Sequence, residues 1–257
     1  MFNYYLRYSF ILIILSWHFA VFAETTLVAV ASNFAKPMNE IVNQFEKTTG
    51  HQVKLSLGST GKFITQIENG APFEILLAAD EEHPQQLIQS GYAVAQSQFT
   101  YAIGKLVLWS AIPNLIDAQG QILTQKSFKH LAIADPKLAP YGVAAIETLK
   151  QLKLLDQLQP LFVQGENIAQ TYQFIQTGNA ELGFIALSQV IDKNRISQGS
   201  AWIIPETLYT PIRQNAILLN KAEANPAAIA LLSFLKSPIA IAIIEKYGYH
   251  LPNSIKQ

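Results

Sequence analysis

The 257-residue sequence contains no cysteine. Disulfide bridges and thiolate metal sites are therefore excluded, and so is the usual lipid anchor on an N-terminal cysteine. The sequence also lacks an excess of either charge, since 18 Lys and Arg residues balance 18 Asp and Glu residues. Without a basic surplus, we predict no nucleic-acid partner and no attraction to an anionic membrane surface.

Apolar residues are abundant and make up 50% of the chain. This amount supports the core of one large domain or of two modest lobes. Residues 1–23 contain one early arginine, an apolar run from Phe10 to Ala23 and a Val-x-Ala ending, which together are typical of a secretory signal peptide. We expect a mature protein that begins near Glu24 and is exported to a bacterial periplasm; an uncleaved N-terminal anchor is the alternative.

The mature chain opens with alternating strand and helix patterns. Strand-like apolar runs at 27–32, 53–57 and 73–79 are separated by amphipathic helical patterns, the first of which ends at Gly50. This alternation predicts an α/β fold, with a parallel sheet covered by helices on both faces.

A second series of the same kind follows a β-prone run, TYAIGKLVLWS, at 100–110. It includes helical patterns at 142–153 and 168–177. The restart predicts a second lobe, with no flexible linker between the two. We assign the lobes as follows: lobe 1, residues 24–104 plus 212–257; lobe 2, residues 105–211.

One strand-to-helix turn, LSLGSTGKF at 55–63, has the glycines and lysine of a nucleotide-binding loop. That loop requires glycine where this chain has Ser56 and a hydroxyl residue where it has Phe63, so the nucleotide interpretation fails. Small hydroxyl residues before a helix still leave backbone N–H groups facing an anion.

Three further strand-to-helix turns also carry small polar residues at the start of a helix. All four place unpaired N–H groups at the positive end of a helix, beyond the carboxyl ends of the strands. Any one of them could be ordinary helix capping, but two belong to each predicted lobe, and lobe closure would surround one small anion. The four turns are Ser32-Asn33, Ser59-Thr60-Gly61, Pro140-Tyr141-Gly142 and Glu166-Asn167-Ile168.

Two other interpretations are weaker. The acidic run Asp80 to His83 could be a metal cluster, but acids in the first turn of a helix are ordinary dipole chemistry. A hydrolase lacks support because no G-x-S-x-G motif exists, and Ser59 would need a histidine from elsewhere in the fold as its base. Lys62, two residues into its helix, is expected to face solvent.

Five segments together resemble the periplasmic molybdate-binding proteins of ABC transporters, a group of the type II periplasmic solute-binding proteins. The resemblance implies a two-lobed periplasmic binding protein in which each lobe is a helix-covered sheet and the hinge is a double crossover. It also implies a neutral site for molybdate or tungstate, with no cofactor and no metal apart from the oxyanion. The segments are ASNF, GSTGK with NGAPFEILLAADE, FTYAIGKLVLWS, ADPKLAPYG and TGNAELGFIALSQ.

By position, the resemblance implies ligand contacts in both lobes. One difference concerns Ala186, where many members have a tyrosine whose hydroxyl reaches the anion; Tyr141, where others have alanine, is a candidate to replace it. The implied donors are Ser32, Asn33, Thr60 with its neighbour Ser59, and the backbone N–H groups of Tyr141 and Ile168.

The resemblance further implies a monomeric binding protein without enzymatic activity, which delivers its ligand to a membrane permease with a cytoplasmic ATPase. The main rival is a binding protein for another small anion, such as sulfate, phosphate or a carboxylate solute. A carboxylate would favour an arginine, and none of the four turns contains one. The residues do not decide between molybdate and tungstate as the ligand.

Overall fold

The computed structural model describes residues 23–192 and 195–252. The predicted signal peptide, apart from its last residue, lies outside the described residues. Two five-stranded sheets, each with helices packed against it, form two lobes, as the sequence predicts. We call the body around the first sheet lobe 1 and the body around the second lobe 2.

The sheet of lobe 1 has the strand order β2-β1-β3-β12-β4. Its first three strands are parallel, as predicted from the alternating pattern, whereas β12 runs antiparallel to both β3 and β4. The strands are β1 (Thr25–Ala31), β2 (Gln52–Gly58), β3 (Ile75–Leu77), β4 (Phe99–Gly104) and β12 (Ile212–Leu218).

The sheet of lobe 2 has the order β11-β5-β8-β6-β7. Strand β6 is parallel to β7 and β8, and β5 is antiparallel to β8 and β11. These strands are β5 (Leu106–Ser110), β6 (Leu131–Ala134), β7 (Phe162–Gly165), β8 (Leu182–Ala186) and β11 (Ser200–Ile203), and a separate ribbon pairs β9 (Ile191–Asp192) with β10 (Arg195–Ile196).

The run TYAIGKLVLWS does not form one strand. It divides at Lys105 into β4 and β5, which belong to different sheets. The chain therefore passes to lobe 2 at Lys105 and returns before β12. Strand membership is consistent with the predicted lobe boundaries at 104/105 and 211/212, which we keep as a proposal.

Nine α-helices connect or flank the strands of the described chain. One predicted helix, at 142–153, begins earlier, at Pro140, since proline at the first position has the helical φ preset and has no N–H to leave unpaired. The helices are α1 (Ala35–Thr49), α2 (Thr60–Glu68), α3 (Glu82–Gln89), α4 (Ile122–Gln125), α5 (Pro140–Gln151), α6 (Leu155–Leu158), α7 (Ile168–Gln176), α8 (Pro226–Phe234) and α9 (Pro238–Lys246).

Helix α1 shows why the local sequence folds as it does. Met38, Ile41 and Phe45 recur at helical spacing and are fully buried against the sheet of lobe 1. The helix ends at Gly50, whose φ of 77° is left-handed and favours glycine. A short 3-10 turn, Ser32–Phe34, connects β1 directly to α1, so the first polar residues after the strand begin a helix.

Helices α8 and α9 complete the core of lobe 1, where Leu231 and Ile244 are fully buried. Within residues 23–192 and 195–252, no single helix is long and apolar enough to cross a membrane, and α8 and α9 meet that criterion only as a pair bent by 60°.

Candidate functional site

The four predicted turns meet at one small cavity of about 10 Å³ between the lobes. Strands β1 and β2 end at it from lobe 1, and β6 and β7 precede the two turns that reach it from lobe 2. All six predicted site residues are among those that line it. The lining residues are Ala31, Ser32, Asn33, Gly58, Ser59, Thr60, Ala79, Ala139, Pro140, Tyr141, Asn167 and Ile168.

The described lining of this cavity is electrically neutral. It contains hydroxyls, amides and small apolar residues but no Lys, Arg, His, Asp or Glu. The starts of α2, α5 and α7 lie at its wall. Because the first N–H groups of a helix have no partner within the helix and carry partial positive charge, such a wall suits an anion.

Ser59 and Thr60 offer the clearest free donors. Ser59 precedes α2 in an extended conformation, yet its side chain does not cap that helix. Its Oγ atom is buried and has no hydrogen-bond partner among the described residues. The Thr60 Oγ1 atom accepts the backbone N–H of Ala79 at 3.0 Å, which leaves its hydroxyl hydrogen available to a ligand.

Ser32 and Asn33 differ in the partners that their side chains already have. The Ser32 hydroxyl lies 3.3 Å from the Asn167 Oδ1 atom, across the lobe interface. The Asn33 side-chain amide already donates to Gln214 Oε1 at 2.8 Å and to Tyr249 Oη at 3.0 Å. Both hydrogens of that amide are thereby used, so the donor that Asn33 can offer the cavity is its backbone N–H.

In lobe 2, Tyr141 and Ile168 occupy the first turns of α5 and α7, where their N–H groups have no acceptor within the helix. Gly142 permits the close approach of α5 to β6, because a Cβ atom there would lie 2.2 Å from the Ala134 carbonyl oxygen. Asn167 caps α7 conventionally, since its Oδ1 accepts the N–H groups of Ala169 and Gln170.

The Tyr141 hydroxyl was a candidate to replace the missing tyrosine at Ala186. It instead accepts a hydrogen bond from Gln214 Nε2 at 3.2 Å, in the buried region between the lobes. Burial raises the pKa of Tyr141 well above its ordinary value, so the hydroxyl is neutral at physiological pH.

Lys62, which we expected to face solvent, is half exposed and pairs with Glu166. The Lys62 Nζ atom lies 2.8 Å from Glu166 Oε1, and the two side chains are 50% and 44% exposed. They bridge the lobes just outside the cavity, beside a backbone hydrogen bond from Gly61 N–H to the Leu138 carbonyl at 3.0 Å. The ion pair therefore joins the two lobes beside the turns that line the cavity.

A larger groove of about 340 Å³ adjoins the cavity and shares Ala79, Ala139 and Pro140 with it. Its size would make it the first candidate for a ligand site. Four carboxylates line it, however, and would repel an anion, so the smaller cavity is the better candidate for an anion site. The charged or titratable residues of the larger groove are Asp80, Glu81, Glu82, His83, Lys137, Glu147 and Arg213.

The residues considered as a metal cluster, Asp80 to His83, line this groove. The Asp80 carboxylate lies 2.7 Å from His83 Nδ1 and accepts the His83 backbone N–H at 2.9 Å. The hydrogen bond from Asp80 raises the pKa of His83. Within the described residues, no group of three or more His, Cys, Asp or Glu side chains converges as a metal site.

Sequence reasoning missed the residues behind the cavity. Gln214 and Tyr249 are buried polar residues that contact the cavity residues Asn33 and Tyr141, and the buried Tyr101 donates to Gln214. The only local indication was the pair of polar residues in QNAILLN, an otherwise apolar strand.

Comparison with known proteins gives consistent results. The family model described as bacterial extracellular solute-binding protein matches residues 26–250. The chain is 54% identical over 229 residues to the molybdate-binding protein ModA of Azotobacter vinelandii, covering 89% of this chain and 91% of that protein. It is 50% identical over 227 residues to ModA of Rhodobacter capsulatus, covering 88% of each.

The fold is also similar to a solved structure, the periplasmic molybdate-binding protein of Azotobacter vinelandii. The TM-score is 0.85 with 43% sequence identity, and the alignment covers 89% of this chain and 100% of that chain. The chain therefore belongs to the bacterial extracellular solute-binding protein family, in the group that contains the ModA proteins of Azotobacter and Rhodobacter.

Proposed function

We propose that this chain is a periplasmic solute-binding protein that captures molybdate, or tungstate, in the cavity between its lobes. It delivers the oxyanion to an ABC permease with a cytoplasmic ATPase, works as a monomer and catalyses no reaction. Ser32, Asn33, Ser59, Thr60, Tyr141 and Ile168 supply the hydrogen bonds.

The observation that carries this proposal is the buried Ser59 hydroxyl, which has no partner among the described residues and lies in a neutral cavity. A buried polar group without a partner is costly, and functional sites are one reason for keeping such a group. An oxyanion would satisfy Ser59, and its charge would be stabilised by the helix N-termini of both lobes.

A lining of neutral donors without a carboxylate acceptor favours an oxyanion that carries no proton. Molybdate is fully ionised at neutral pH, whereas much of the phosphate keeps a proton that needs an acceptor. No carboxylate lines the described cavity, and the nearby Glu166 is paired with Lys62 outside it. We therefore expect the cavity to select against hydrogen phosphate.

Binding and lobe closure are coupled in this scheme. Because the donors come from both lobes, the anion stabilises the closed state by contacts that the open state lacks. Small-angle scattering should show a smaller radius of gyration at saturating molybdate, and an unchanged profile would contradict the clamp.

A second candidate function is binding of another anion, such as sulfate or a carboxylate solute. A carboxylate would favour bidentate pairing with arginine, but Arg213 lies in the larger groove, where its Nε atom is 3.0 Å from Glu81 Oε1. The molybdate-binding relatives favour molybdate over this alternative.

The decisive experiment measures thermal stabilisation and affinity for molybdate, tungstate, sulfate and phosphate, with Ser59→Ala as the test variant. A hydrogen bond to a charged group contributes about 1.5–3 kcal/mol, so we expect affinity for molybdate to fall about 10- to 100-fold. Stability without ligand should be unchanged or slightly higher, since the hydroxyl has no partner to lose.

Thr26→Val is the matched control, because Thr26 Oγ1 is also buried without a partner but lies outside the cavity. This variant should keep full affinity for molybdate. If phosphate stabilises the wild type as strongly as molybdate, or if the purified chain hydrolyses ATP, the proposed function is wrong.

A further inference from the structure

A connected set of buried polar side chains lies between the lobes, behind the anion cavity. We call it the hinge network. Each member is at most 3% exposed, and lobe 1 supplies four of them while lobe 2 supplies two. The members are Asn33, Tyr101, Gln214 and Tyr249 from lobe 1 and Tyr141 and Ser188 from lobe 2.

Gln214 is the centre of the hinge network. Its Oε1 atom accepts hydrogen bonds from Asn33 Nδ2 at 2.8 Å and from Tyr101 Oη at 2.9 Å. Its Nε2 atom donates to Tyr141 Oη at 3.2 Å. One fully buried amide therefore links a cavity residue of lobe 1, Asn33, with a cavity residue of lobe 2, Tyr141.

The backbone places Gln214 there by an irregularity in β12. The register between β12 and β4 shifts between Gln214 and Asn215, and such a bulge redirects a side chain. Gly104, the last residue of β4, leaves the required space, since a Cβ atom there would lie 2.1 Å from the Tyr141 hydroxyl.

Further hydrogen bonds of the hinge network cross between the lobes. Ser188 Oγ lies 3.0 Å from Tyr249 Oη and donates to the Asn33 carbonyl oxygen at 2.8 Å. Tyr249 Oη also donates to that carbonyl, at 2.9 Å. The turn at Asn33 is thus held by its side chain and by its backbone, in part by a residue of the opposite lobe.

We propose that Gln214 is a positioning residue for anion binding, which holds the turns at Asn33 and Tyr141 in register and slows opening of the closed complex. This inference rests on the proposed function. The bond from Gln214 to Tyr141 joins the two lobes and stabilises the arrangement in which both turns face the cavity, whereas capture of the anion by an open state does not require it.

The experiment measures molybdate association and dissociation rates by stopped-flow for the full chain. Gln214→Met keeps the length of the side chain but removes its hydrogen bonds, and it also leaves the Asn33 amide without its acceptor. We expect the dissociation rate to rise about tenfold, with an association rate within about twofold of the wild type. A loss of folded protein would instead lower the active fraction at unchanged dissociation rate.

Tyr141→Phe provides a second variant, since it removes the lobe-crossing bond and keeps the backbone N–H that faces the cavity. Its dissociation rate should also rise, and the double variant should be less impaired than the product of the two single effects. Asn215→Ala is the matched control, because Asn215 is buried beside Gln214 on the same bulge but lines neither cavity. It should keep the wild-type dissociation rate.

The possible results separate the two proposals. If the wild type does not bind molybdate, the proposed function fails. If the wild type binds but Gln214→Met and Tyr141→Phe both keep its dissociation rate, or if both slow association instead, the assignment of Gln214 is overturned.

Discussion

The two cavities between the lobes touch each other but have opposite chemistry. The smaller, of about 10 Å³, is lined by neutral residues, and the larger, of about 340 Å³, is lined by four carboxylates and the cations Lys137 and Arg213. Size alone would favour the larger one. Free donors favour the smaller, because a desolvated anion gains from donors and loses from every carboxylate that faces it.

The groove and the cavity also differ in whether their polar groups have partners within the protein. In the groove, charges are paired with one another, as in Asp80 with His83 and Glu81 with Arg213. In the cavity, the Ser59 hydroxyl is left without a partner. Paired charges are satisfied without a ligand, whereas an unpartnered donor is satisfied only by one.

The largest expected effect comes from placing a charge in the neutral cavity. Thr60→Asp removes a donor and adds a negative charge at the wall, so affinity for molybdate should fall by at least about a hundredfold. Thr65→Asp, further along the same helix at an exposed position, is the control. Calorimetric titration measures both, and normal binding by Thr60→Asp would show that the cavity is not the anion site.

The second effect concerns pH, because the two regions titrate in different ranges. Burial raises the pKa of Tyr249 from 10.0 to about 12, partly opposed by hydrogen bonds with Ser188 and Asn33. A tyrosine with a higher pKa in the folded state stabilises the fold below pH 10, and this contribution is lost between about pH 10 and 12. For Tyr249 the loss is about 3 kcal/mol.

Melting temperatures between pH 6 and 12 test this expectation. The hydrogen bond between His83 and Asp80 raises the pKa of His83, but His83 lies in the groove and outside the neutral cavity, so molybdate affinity should be constant from pH 6 to 8. The melting temperature of Tyr249→Phe should fall less between about pH 10 and 12 than that of the wild type. An equal decline in both proteins would contradict the role assigned to the buried hydroxyl.

A smaller effect is expected at the edge of the cavity, where Lys62 and Glu166 balance each other. Lys62→Met leaves an unpaired carboxylate near the anion and should weaken molybdate binding about two- to fivefold, less at high salt. Glu166→Gln should leave affinity unchanged or slightly higher. Lys246→Met is the control, since Lys246 pairs with Glu40 at 2.9 Å within lobe 1.

The two variants should change molybdate affinity differently, because only Lys62→Met leaves an unpaired charge near the anion. If the ion pair simply held the lobes together, loss of either side chain would reduce the affinity equally. If Lys62→Met and Glu166→Gln reduce affinity by the same factor, the pair acts as a latch and the charge-balance explanation is wrong.

The smallest effect should follow from a change in the groove. Arg213→Gln removes the arginine that a carboxylate solute would use, and affinity for molybdate should stay within about twofold of the wild type because Arg213 is outside the neutral cavity. Equilibrium titration measures this. A large loss would move the anion site to the groove and favour the carboxylate alternative.

Much of the site could be predicted because its parts are local. A strand followed by small hydroxyl residues and an amphipathic helix fixes where N–H groups are free, and these signals lie within about ten residues of one another. The turns at Ser59-Thr60 and Asn167-Ile168 therefore lie where the sequence placed them. Their role in binding molybdate stays a prediction.

The parts that were missed depend on partners far apart in the chain. Asn33 and Gln214 are 181 residues apart, and Lys62 and Glu166 are 104 residues apart. No local pattern shows that the Asn33 amide is already used, or that Lys62 meets a carboxylate. The division of TYAIGKLVLWS at Lys105 is similar, since both halves are equally β-prone and only pairing with β12 and β11 separates them.

The sequence by itself determined the α/β alternation, the two lobes and the four polar strand-to-helix turns, because hydrophobic periodicity, capping residues and glycines act over one or two elements. Only the tertiary structure decided which donors are free and which cavity they face. Hydrogen-bond partners are assigned by the packing of the lobes against each other: that packing uses the Asn33 side chain, leaves the Ser59 hydroxyl unpaired and places Gln214 between the two binding turns.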